Sequence, residues 1–196
     1  MEEIWNYAKL MPHTIAVEGY PFSGKTTFIK QHFTENTIVT PDHMLINNKL
    51  PDFVTANWNN DYNAIIERQN YFLYLETLRC SEILSAKQKN KVMDRCVISI
   101  LVYLLARIEN HPQRELILTT FCQKLQTYFQ TKKIFLPQKI IFIQTPFPKI
   151  FSRVGANSRK CEKFFLNSCT YKIISKYYKQ ILSDYKGDVE YVPGYK

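Results

Sequence analysis

Short apolar runs alternate with longer segments of helical periodicity along most of the chain. Five runs of four to six residues predict buried strands, at 13–18, 37–40, 91–94, 139–143 and 188–192. Helical spacing predicts helices at 26–33, 97–109, 114–130, 149–154 and 167–185, and a long one that runs from an Asp61 N-cap to about residue 88. Residues 42–60 contain Pro51 and several Asn, so we expect an irregular stretch there with one short helix at most.

Strands that alternate with helices are typical of a parallel sheet covered by helices on both faces. No internal repeat and no linker-like segment interrupts this order, and 196 residues suit one hydrophobic core better than two. The sequence therefore predicts a single α/β domain over residues 1–196, built on a five-stranded parallel sheet.

The segment that follows the first predicted strand is the most specific motif of the chain. It reads Gly19, Tyr20, Pro21, Phe22, Ser23, Gly24, Lys25, Thr26 and matches the phosphate-binding loop G-x-x-x-x-G-K-[ST]. The chain has 5 Gly, where average usage would give about 14, so two of them in one such loop are hard to attribute to chance. We expect backbone N–H groups of 19–27, Thr27 included, to bind ATP phosphates, with Lys25 at the β/γ-phosphates and Thr26 on Mg²⁺. The fold class that follows is a three-layer fold of the P-loop NTPase type.

The residues around this loop resemble the opening of deoxynucleoside kinases and thymidylate kinases, with Glu18 before it and Thr27 after it. Asp94-Arg95, followed by Ser99, resembles the acidic-Arg pair that these kinases carry after the third strand. Arg68-Gln69-Asn70-Tyr71 resembles their F-Q-x-Y segment, in which the Gln hydrogen-bonds the substrate base. The resemblance extends in order from about residue 13 to 192.

A further segment, at about 153–163, is similar to the R-I-x-x-R-G-R-x-x-E lid of the same family. Arg153, Arg159 and Glu162 fall in register with the lid pattern, whereas Asn157 replaces its middle Arg. A second departure follows the second predicted strand, where Thr40-Pro41-Asp42-His43 stands in place of Glu-Pro, so the acidic residue comes after the Pro.

The resemblance implies an ATP-dependent phosphotransferase that moves the γ-phosphoryl group to the 5′-hydroxyl of a nucleoside or deoxynucleoside. It implies Mg²⁺ on Thr26, with Asp94 or Glu18 completing the site, and a carboxylate base for which we favour Asp42 over Asp94. The expected catalytic set is Lys25, Asp42, Asp94, Arg95, Arg153 and Arg159. The expected substrate-binding set is Gln69, Tyr71, Phe72, Arg95 and Glu162, with the two aromatic residues also fitting a core or pocket-wall role.

Two other functions remain open at this stage. One is a thymidylate kinase-like enzyme, whose acceptor is a nucleoside monophosphate. The other is a weakened P-loop protein that binds nucleic acid through its basic carboxyl half, although we do not expect a nucleic-acid partner. Residues 1–98 hold 10 Lys/Arg against 11 Asp/Glu, whereas residues 99–196 hold 16 against 6, and a phosphate-handling lid explains part of that excess.

The cysteines and the amino terminus bear on location and assembly. Five Cys without a C-x-x-C pair favour a reducing compartment, and the acidic start lacks the apolar run of a signal peptide. The longest apolar run, 97–106, is far too short to cross a membrane, so we expect a cytoplasmic protein without a membrane partner. That run allows a homodimer, as the family often forms, and equally a helix buried within one subunit.

Overall fold

A computed structural model describes residues 5–33, 36–46, 61–153 and 167–194. Within them a five-stranded sheet is formed by β1 (Leu10–Gly19), β2 (Thr37–Thr40), β3 (Asn90–Asp94), β4 (Leu136–Gln144) and β5 (Asp188–Pro193). The helices of the described residues are α1 (Lys25–His32), α2 (His43–Ile46), α3 (Tyr62–Ser85), α4 (Val97–Arg107), α5 (Arg114–Gln130), α6 (Phe147–Ser152) and α7 (Ser168–Ser183).

All strand pairs of this sheet are parallel, and their spatial order is β2-β3-β1-β4-β5. The predicted five-stranded parallel sheet is therefore confirmed. Two helix starts are also as predicted: the Asp61 carboxylate accepts a hydrogen bond from the Ala64 N–H at 3.2 Å, and the Asn167 side chain accepts one from the Thr170 N–H at 2.7 Å. Side-chain oxygens at these positions satisfy N–H groups that the first helical turn leaves unpaired.

Successive residues of the central strands pack on opposite faces of the sheet. On β1, Ala16 joins the large apolar cluster with side chains of α4, α5 and α7, whereas Val17 belongs to a second cluster with Phe28 and Ile29 of α1. Neighbouring residues of β3 and β4 divide between the two clusters in the same way. Because a strand's side chains alternate in direction, this division places helices on both faces and confirms the three-layer arrangement.

Two strands, β1 and β4, begin three residues earlier than the sequence predicts. β1 begins at Leu10 rather than at 13, and its ladder with β4 is irregular between Met11 and Ile15, where His13 has a φ of 58°. β4 begins at Leu136 and includes Pro137, which we expected to lie before the strand. A proline is tolerated there because it stands at the amino end of the strand, where the missing N–H matters least.

The apolar helix α4 is explained by burial within this chain. Leu101, Leu104 and Leu105 are fully buried in the large cluster, so the run at 97–106 needs no second subunit to cover it. Among the described residues, none of the helices combines the length and the apolar character that a membrane crossing requires.

Candidate active site

Several predicted site residues among the described ones lie at the carboxyl edge of the sheet. β1 lies in the middle of the sheet, with β3 on one side and β4 on the other, so the chain connections diverge from its carboxyl end. In open α/β sheets this divergence leaves a crevice in which ligands bind. Gly19, Thr40 and Asp94 end the three strands β1, β2 and β3 at this edge.

The loop between β1 and α1 has the backbone that a phosphate-binding turn requires. Gly19 has a φ of 141°, and a Cβ there would lie 2.8 Å from the carbonyl oxygen of Ile143. Gly24, with a φ of 97°, is the N-cap of α1. Phe22 also has a positive φ, 62°, which costs a non-glycine residue about 1 kcal/mol. Its half-buried ring packs against the large cluster.

Lys25 is buried at the first position of α1, with 6 % of its surface exposed. Its Nζ donates a hydrogen bond to the carbonyl oxygen of Tyr20 at 2.9 Å. Burial, and after it the positive charge of Arg95, lowers the pKa of Lys25 from 10.5 to about 8, against the opposite influence of Asp94 and Asp42. The ammonium therefore lies in an environment that favours an additional anion beside it.

Thr26, in the first turn of α1, and Asp94, at the end of β3, are hydrogen-bonded to each other. The Thr26 hydroxyl donates to Asp94 Oδ2 at 3.1 Å. The other carboxylate oxygen, Oδ1, is buried and has no hydrogen-bond partner among the described residues. Buried carboxylate oxygens are normally satisfied, so this one indicates a position for a bound group.

Glu18 has a structural role, because its carboxylate hydrogen-bonds groups on neighbouring helices and at the start of α4. It is fully buried at the end of β1, and its Oε1 accepts the Cys96 N–H at 2.8 Å. Its Oε2 accepts the Ser99 hydroxyl at 2.5 Å and the Tyr178 hydroxyl at 3.0 Å. Because both oxygens are engaged, Glu18 ties β1 to α4 and α7, and Asp94 is the better of the two carboxylates for a metal ion.

Arg95 turns its side chain across the crevice from a left-handed backbone, with a φ of 68°. Its Nε donates to Asp42 Oδ2 at 2.7 Å, so the carboxylate that follows Pro41 reaches the site despite its displaced position in the sequence. Its Nη1 donates to the Gly19 carbonyl at 3.0 Å, to Ser99 at 3.2 Å and to the Tyr103 hydroxyl at 2.5 Å. The guanidinium thus joins the end of β1 to Asp42.

The α3 residues of the predicted substrate set differ in their surroundings. Gln69 is 5 % exposed, and its Oε1 has no hydrogen-bond partner among the described residues. Phe72 is half-buried against the large cluster, with the His43 ring edge-on at 6.2 Å between centroids. Tyr71 is half-buried beside Phe72. The buried amide of Gln69 is the feature that indicates hydrogen bonding to a ligand.

The loop is also held from behind, by residues that the sequence did not single out. The Thr145 hydroxyl donates to the Ser23 carbonyl at 3.0 Å, and the Tyr171 hydroxyl donates to the Thr145 carbonyl at 3.0 Å. Arg153, the first Arg of the predicted lid, donates from Nη1 to the Phe22 carbonyl at 2.8 Å. The remaining lid residues, including Arg159 and Glu162, lie outside the described residues.

Three more charged or titratable residues that sequence reasoning missed lie directly behind Asp42 and Arg95. They are His43, Glu76 and Arg79, which are 3 %, 0 % and 1 % exposed. Two of them could have been recognised in the sequence. Glu76 and Arg79 are three residues apart on α3, so they lie on the same face of the helix, and their neighbours at helical spacing are the apolar residues of the buried face.

Comparison with solved structures finds kinases of the same architecture. Deoxyadenosine kinase from M. mycoides with bound dATP matches with a TM-score of 0.69 and 14% identity, covering 92% of this chain and 90% of that one. The same enzyme with the products dCMP and dCDP matches with a TM-score of 0.64 and 13% identity, over 91% and 89%. Thymidylate kinase from Candida albicans matches with a TM-score of 0.60 and 14% identity, over 92% and 83%.

These likenesses confirm the expected fold, which is that of the P-loop deoxynucleoside and thymidylate kinases. No protein-family model and no curated protein matches the sequence.

Proposed function

We propose that this protein is an ATP-dependent phosphotransferase that moves the γ-phosphoryl group of ATP to the 5′-hydroxyl of a nucleoside or deoxynucleoside. The observation that carries the proposal is the 2.7 Å contact between Asp42 and Arg95, at the same sheet edge as the Lys25 loop. A carboxylate beside a phosphate-binding loop suits an acceptor that must lose a proton. The fold shared with deoxyadenosine kinase supports the same class of reaction.

On the donor side, the loop and Lys25 would bind the phosphates of ATP. The N–H groups at the start of α1 have no partner within the helix, and they favour an anion at this end. Lys25 would exchange the Tyr20 carbonyl for oxygens of the β- and γ-phosphates. The negative charge of these oxygens would raise its pKa from about 8 and keep the ammonium protonated during transfer.

The residues present fit Mg²⁺ between the loop and β3. Thr26 and Asp94 supply the hard oxygen ligands that this ion prefers, and Asp94 Oδ1 is buried without a partner among the described residues. When bound there, the ion would neutralise charge on the transferring phosphoryl group. The protein's own contribution is to hold the Asp94 carboxylate at the loop, which the β1–β3 ladder does through the pairing of Val17 with Asp94.

On the acceptor side, the charge distribution favours a hydroxyl over a phosphate. Asp42 would repel the dianion of a nucleoside monophosphate, whereas it would accept a hydrogen bond from a 5′-hydroxyl and later take its proton. Arg95 already donates to Asp42 and to Gly19, Ser99 and Tyr103. Its guanidinium therefore orients the base of the reaction and is not arranged as a separate phosphate clamp.

Gln69 would bind the nucleobase. A carboxamide offers a donor and an acceptor side by side, and this pair matches the donor–acceptor edges that nucleobases present. Its Oε1 is buried and lacks a partner among the described residues, as expected of a group that a ligand satisfies. Phe72 and Tyr71 would line the adjoining wall. The lid residues Arg159 and Glu162 would complete the site from outside the described residues, together with Arg153.

A thymidylate kinase-like activity is the second candidate, because the chain also matches the fold of a thymidylate kinase. The two candidates differ in whether the acceptor brings a phosphate. Purified protein given γ-labelled Mg-ATP and a panel of nucleosides and monophosphates separates them. Label transferred to a nucleoside supports the proposal, label transferred to dTMP but to no nucleoside supports the second candidate, and no transfer to any acceptor contradicts both.

Asp42→Asn tests the role of the carboxylate, with Asp61→Asn as its matched control. Asp61 is an exposed N-cap, and Asn caps a helix as well as Asp does. We expect Asp42→Asn to lower kcat by about 10²–10⁴-fold with little change in ATP binding. Equal activity in the two variants would contradict the assignment of Asp42.

A further inference from the structure

Behind the acceptor side of the crevice, three buried side chains form one hydrogen-bonded group that the proposed reaction does not use directly. His43 Nε2 lies 2.8 Å from Glu76 Oε2, and Arg79 Nη1 lies 2.7 Å from the same oxygen. All three side chains are more than nine-tenths buried. Ionised groups at such a depth are strongly unfavourable unless they are paired, so this group requires an explanation.

The geometry assigns the protons of the group. Glu76 Oε2 accepts a hydrogen bond from His43 and another from Arg79. The His43 nitrogen that faces Glu76, Nε2, therefore carries a proton. His43 Nε2 and Arg79 Nη1 lie 2.9 Å apart because both donate to the same oxygen. Burial alone would raise the pKa of Glu76, but Arg79 and then His43 outweigh it and hold the pKa below its ordinary value. Glu76 is therefore a carboxylate, paired by two donors.

The second nitrogen of Arg79 reaches the backbone of the active site. Its Nη2 donates to the carbonyl of Asp94 at 2.9 Å and to the carbonyl of Arg95 at 2.7 Å. These carbonyls flank the left-handed residue Arg95, whose orientation directs its side chain to Asp42. A single guanidinium thus holds the turn from which Arg95 projects.

The other end of the group meets the chain at Asp42. His43 is its neighbour in sequence, and the ladder between β2 and β3 ends at the pair Thr40 and Met93. Beyond that pair, the alignment of residue 42 with residue 95 depends on side chains. The contacts therefore form a closed ring. Asp42 contacts the Arg95 side chain, and the Arg95 carbonyl contacts Arg79. Arg79 contacts Glu76, Glu76 contacts His43, and His43 is joined to Asp42 by the backbone.

We propose that His43, Glu76 and Arg79 are positioning residues that hold Asp42 and Arg95 in mutual register. The part of this inference that concerns catalysis rests on the proposed function of Asp42 as the acceptor of the hydroxyl proton. Apolar side chains of similar volume would fill the space equally well, but they have no donors for two carbonyls and a carboxylate. The group therefore specifies one arrangement of two segments that are 53 residues apart in the chain.

His43→Leu and His43→Gln test the catalytic consequence. Leucine removes the donor to Glu76, whereas glutamine retains an N–H at the position of Nε2. We expect His43→Leu to lower kcat about 10- to 100-fold with an unchanged KM for ATP, and His43→Gln to restore most of the loss. Tyr185→Phe, which removes a half-buried hydrogen bond to the Pro137 carbonyl, is the matched control and should leave kcat unchanged. Equal kcat values in His43→Leu and in the wild-type protein would overturn the proposal.

A measurement that needs no turnover separates this inference from the proposed function. The Arg95 Nε–H resonance, assigned with Arg95→Lys, should exchange slowly in the wild-type protein because it donates to Asp42. We expect its exchange to accelerate about tenfold or more in His43→Leu, while amides of β1 keep their protection. Arg79→Lys, which keeps a charge beside Glu76 but cannot reach both carbonyls, should have the same effect and serves if His43→Leu does not fold.

Faster Arg95 exchange in a protein that phosphorylates no acceptor would support the positioning group and reject the proposed function. Unchanged Arg95 exchange in both variants would overturn the positioning group, whatever the activity.

Discussion

Lys25→Met is expected to stabilise the protein in the absence of nucleotide while it abolishes phosphoryl transfer. The Lys25 side chain is buried, and burial together with the charge of Arg95 lowers its pKa from 10.5 to about 8. A lowered lysine pKa means that the folded protein holds the protonated form less favourably than the unfolded chain does. Below pH 8 the charged lysine therefore destabilises the fold by its full amount, and this destabilisation fades as the pH rises from 8 to 10.5.

The magnitude follows from the two pKa values. Their difference corresponds to about 3 kcal/mol at pH 7. Methionine keeps most of the aliphatic volume but loses the hydrogen bond from Nζ to the Tyr20 carbonyl, which is worth about 1–2 kcal/mol. The net gain is then about 1–2 kcal/mol in the free energy of unfolding, or roughly 2–8 °C in Tm for a chain of this length.

Urea unfolding followed by circular dichroism at pH 7, 8, 9 and 10 measures this effect. The gain in the free energy of unfolding of Lys25→Met over the wild-type protein should shrink between pH 8 and 10. At higher pH its sign should reverse, because the penalty for the charged lysine has disappeared and the variant still lacks the hydrogen bond to the Tyr20 carbonyl. Lys30→Met, on the exposed side of the same helix, is the matched control. Buried tyrosines such as Tyr103, whose pKa burial raises to about 12, act in the opposite direction above pH 10 and act equally in both proteins. A variant that is less stable than the wild-type protein at pH 7, or an advantage that is constant with pH, would refute the reasoning.

Four further substitutions test the proposed metal site, the proposed nucleobase contact and the buried hydrogen bonds of Glu18. Asp94→Asn should weaken the binding of Mg-ADP about tenfold or more while metal-free ADP binds as before, measured by titration calorimetry; equal losses for both ligands would reject Asp94 as a Mg²⁺ ligand. Gln69→Leu should raise the KM for the nucleoside roughly five- to tenfold and leave the KM for ATP unchanged in steady-state kinetics, and a parallel rise in both would mean that Gln69 does not bind the base. Glu18→Gln should lower the free energy of unfolding by about 2–4 kcal/mol, because its amide nitrogen would face donors, whereas Tyr178→Phe should lower it by about 1 kcal/mol. Urea unfolding compares the two, and equal losses would contradict the role given to Glu18.

Local features of the sequence were sufficient for most helix and strand positions. The Asp61 and Asn167 caps begin helices where they were expected, since a cap acts on N–H groups only two or three residues away. Helix α5 has the predicted bounds, Arg114–Gln130. The phosphate-binding loop was recognisable for the same reason: its glycines and its lysine act within one turn of chain.

The candidate site was only partly accessible from sequence. Asp42 was singled out, but its pairing with Arg95 spans 53 residues and depends on where β2 lies relative to β3. Tyr178 and Glu18 are 160 residues apart, and neither position carries a pattern that indicates the other. His43 received no role from the sequence, because the pairing of a histidine with a carboxylate 33 residues away has no signature in sequence.

By itself the sequence determined the alternation of strands and helices, the phosphate-binding loop and the types of residue available for transfer, because these depend on spacing along the chain. The tertiary structure decided the strand order β2-β3-β1-β4-β5, which brings Asp42, Asp94 and Arg95 to one edge. It also decided that Glu18 is part of the frame while Asp94 keeps a carboxylate oxygen without a partner among the described residues. The physical reason is that burial and hydrogen bonding between distant segments set the state of a charged group, and neither is a property of the group's neighbours in sequence.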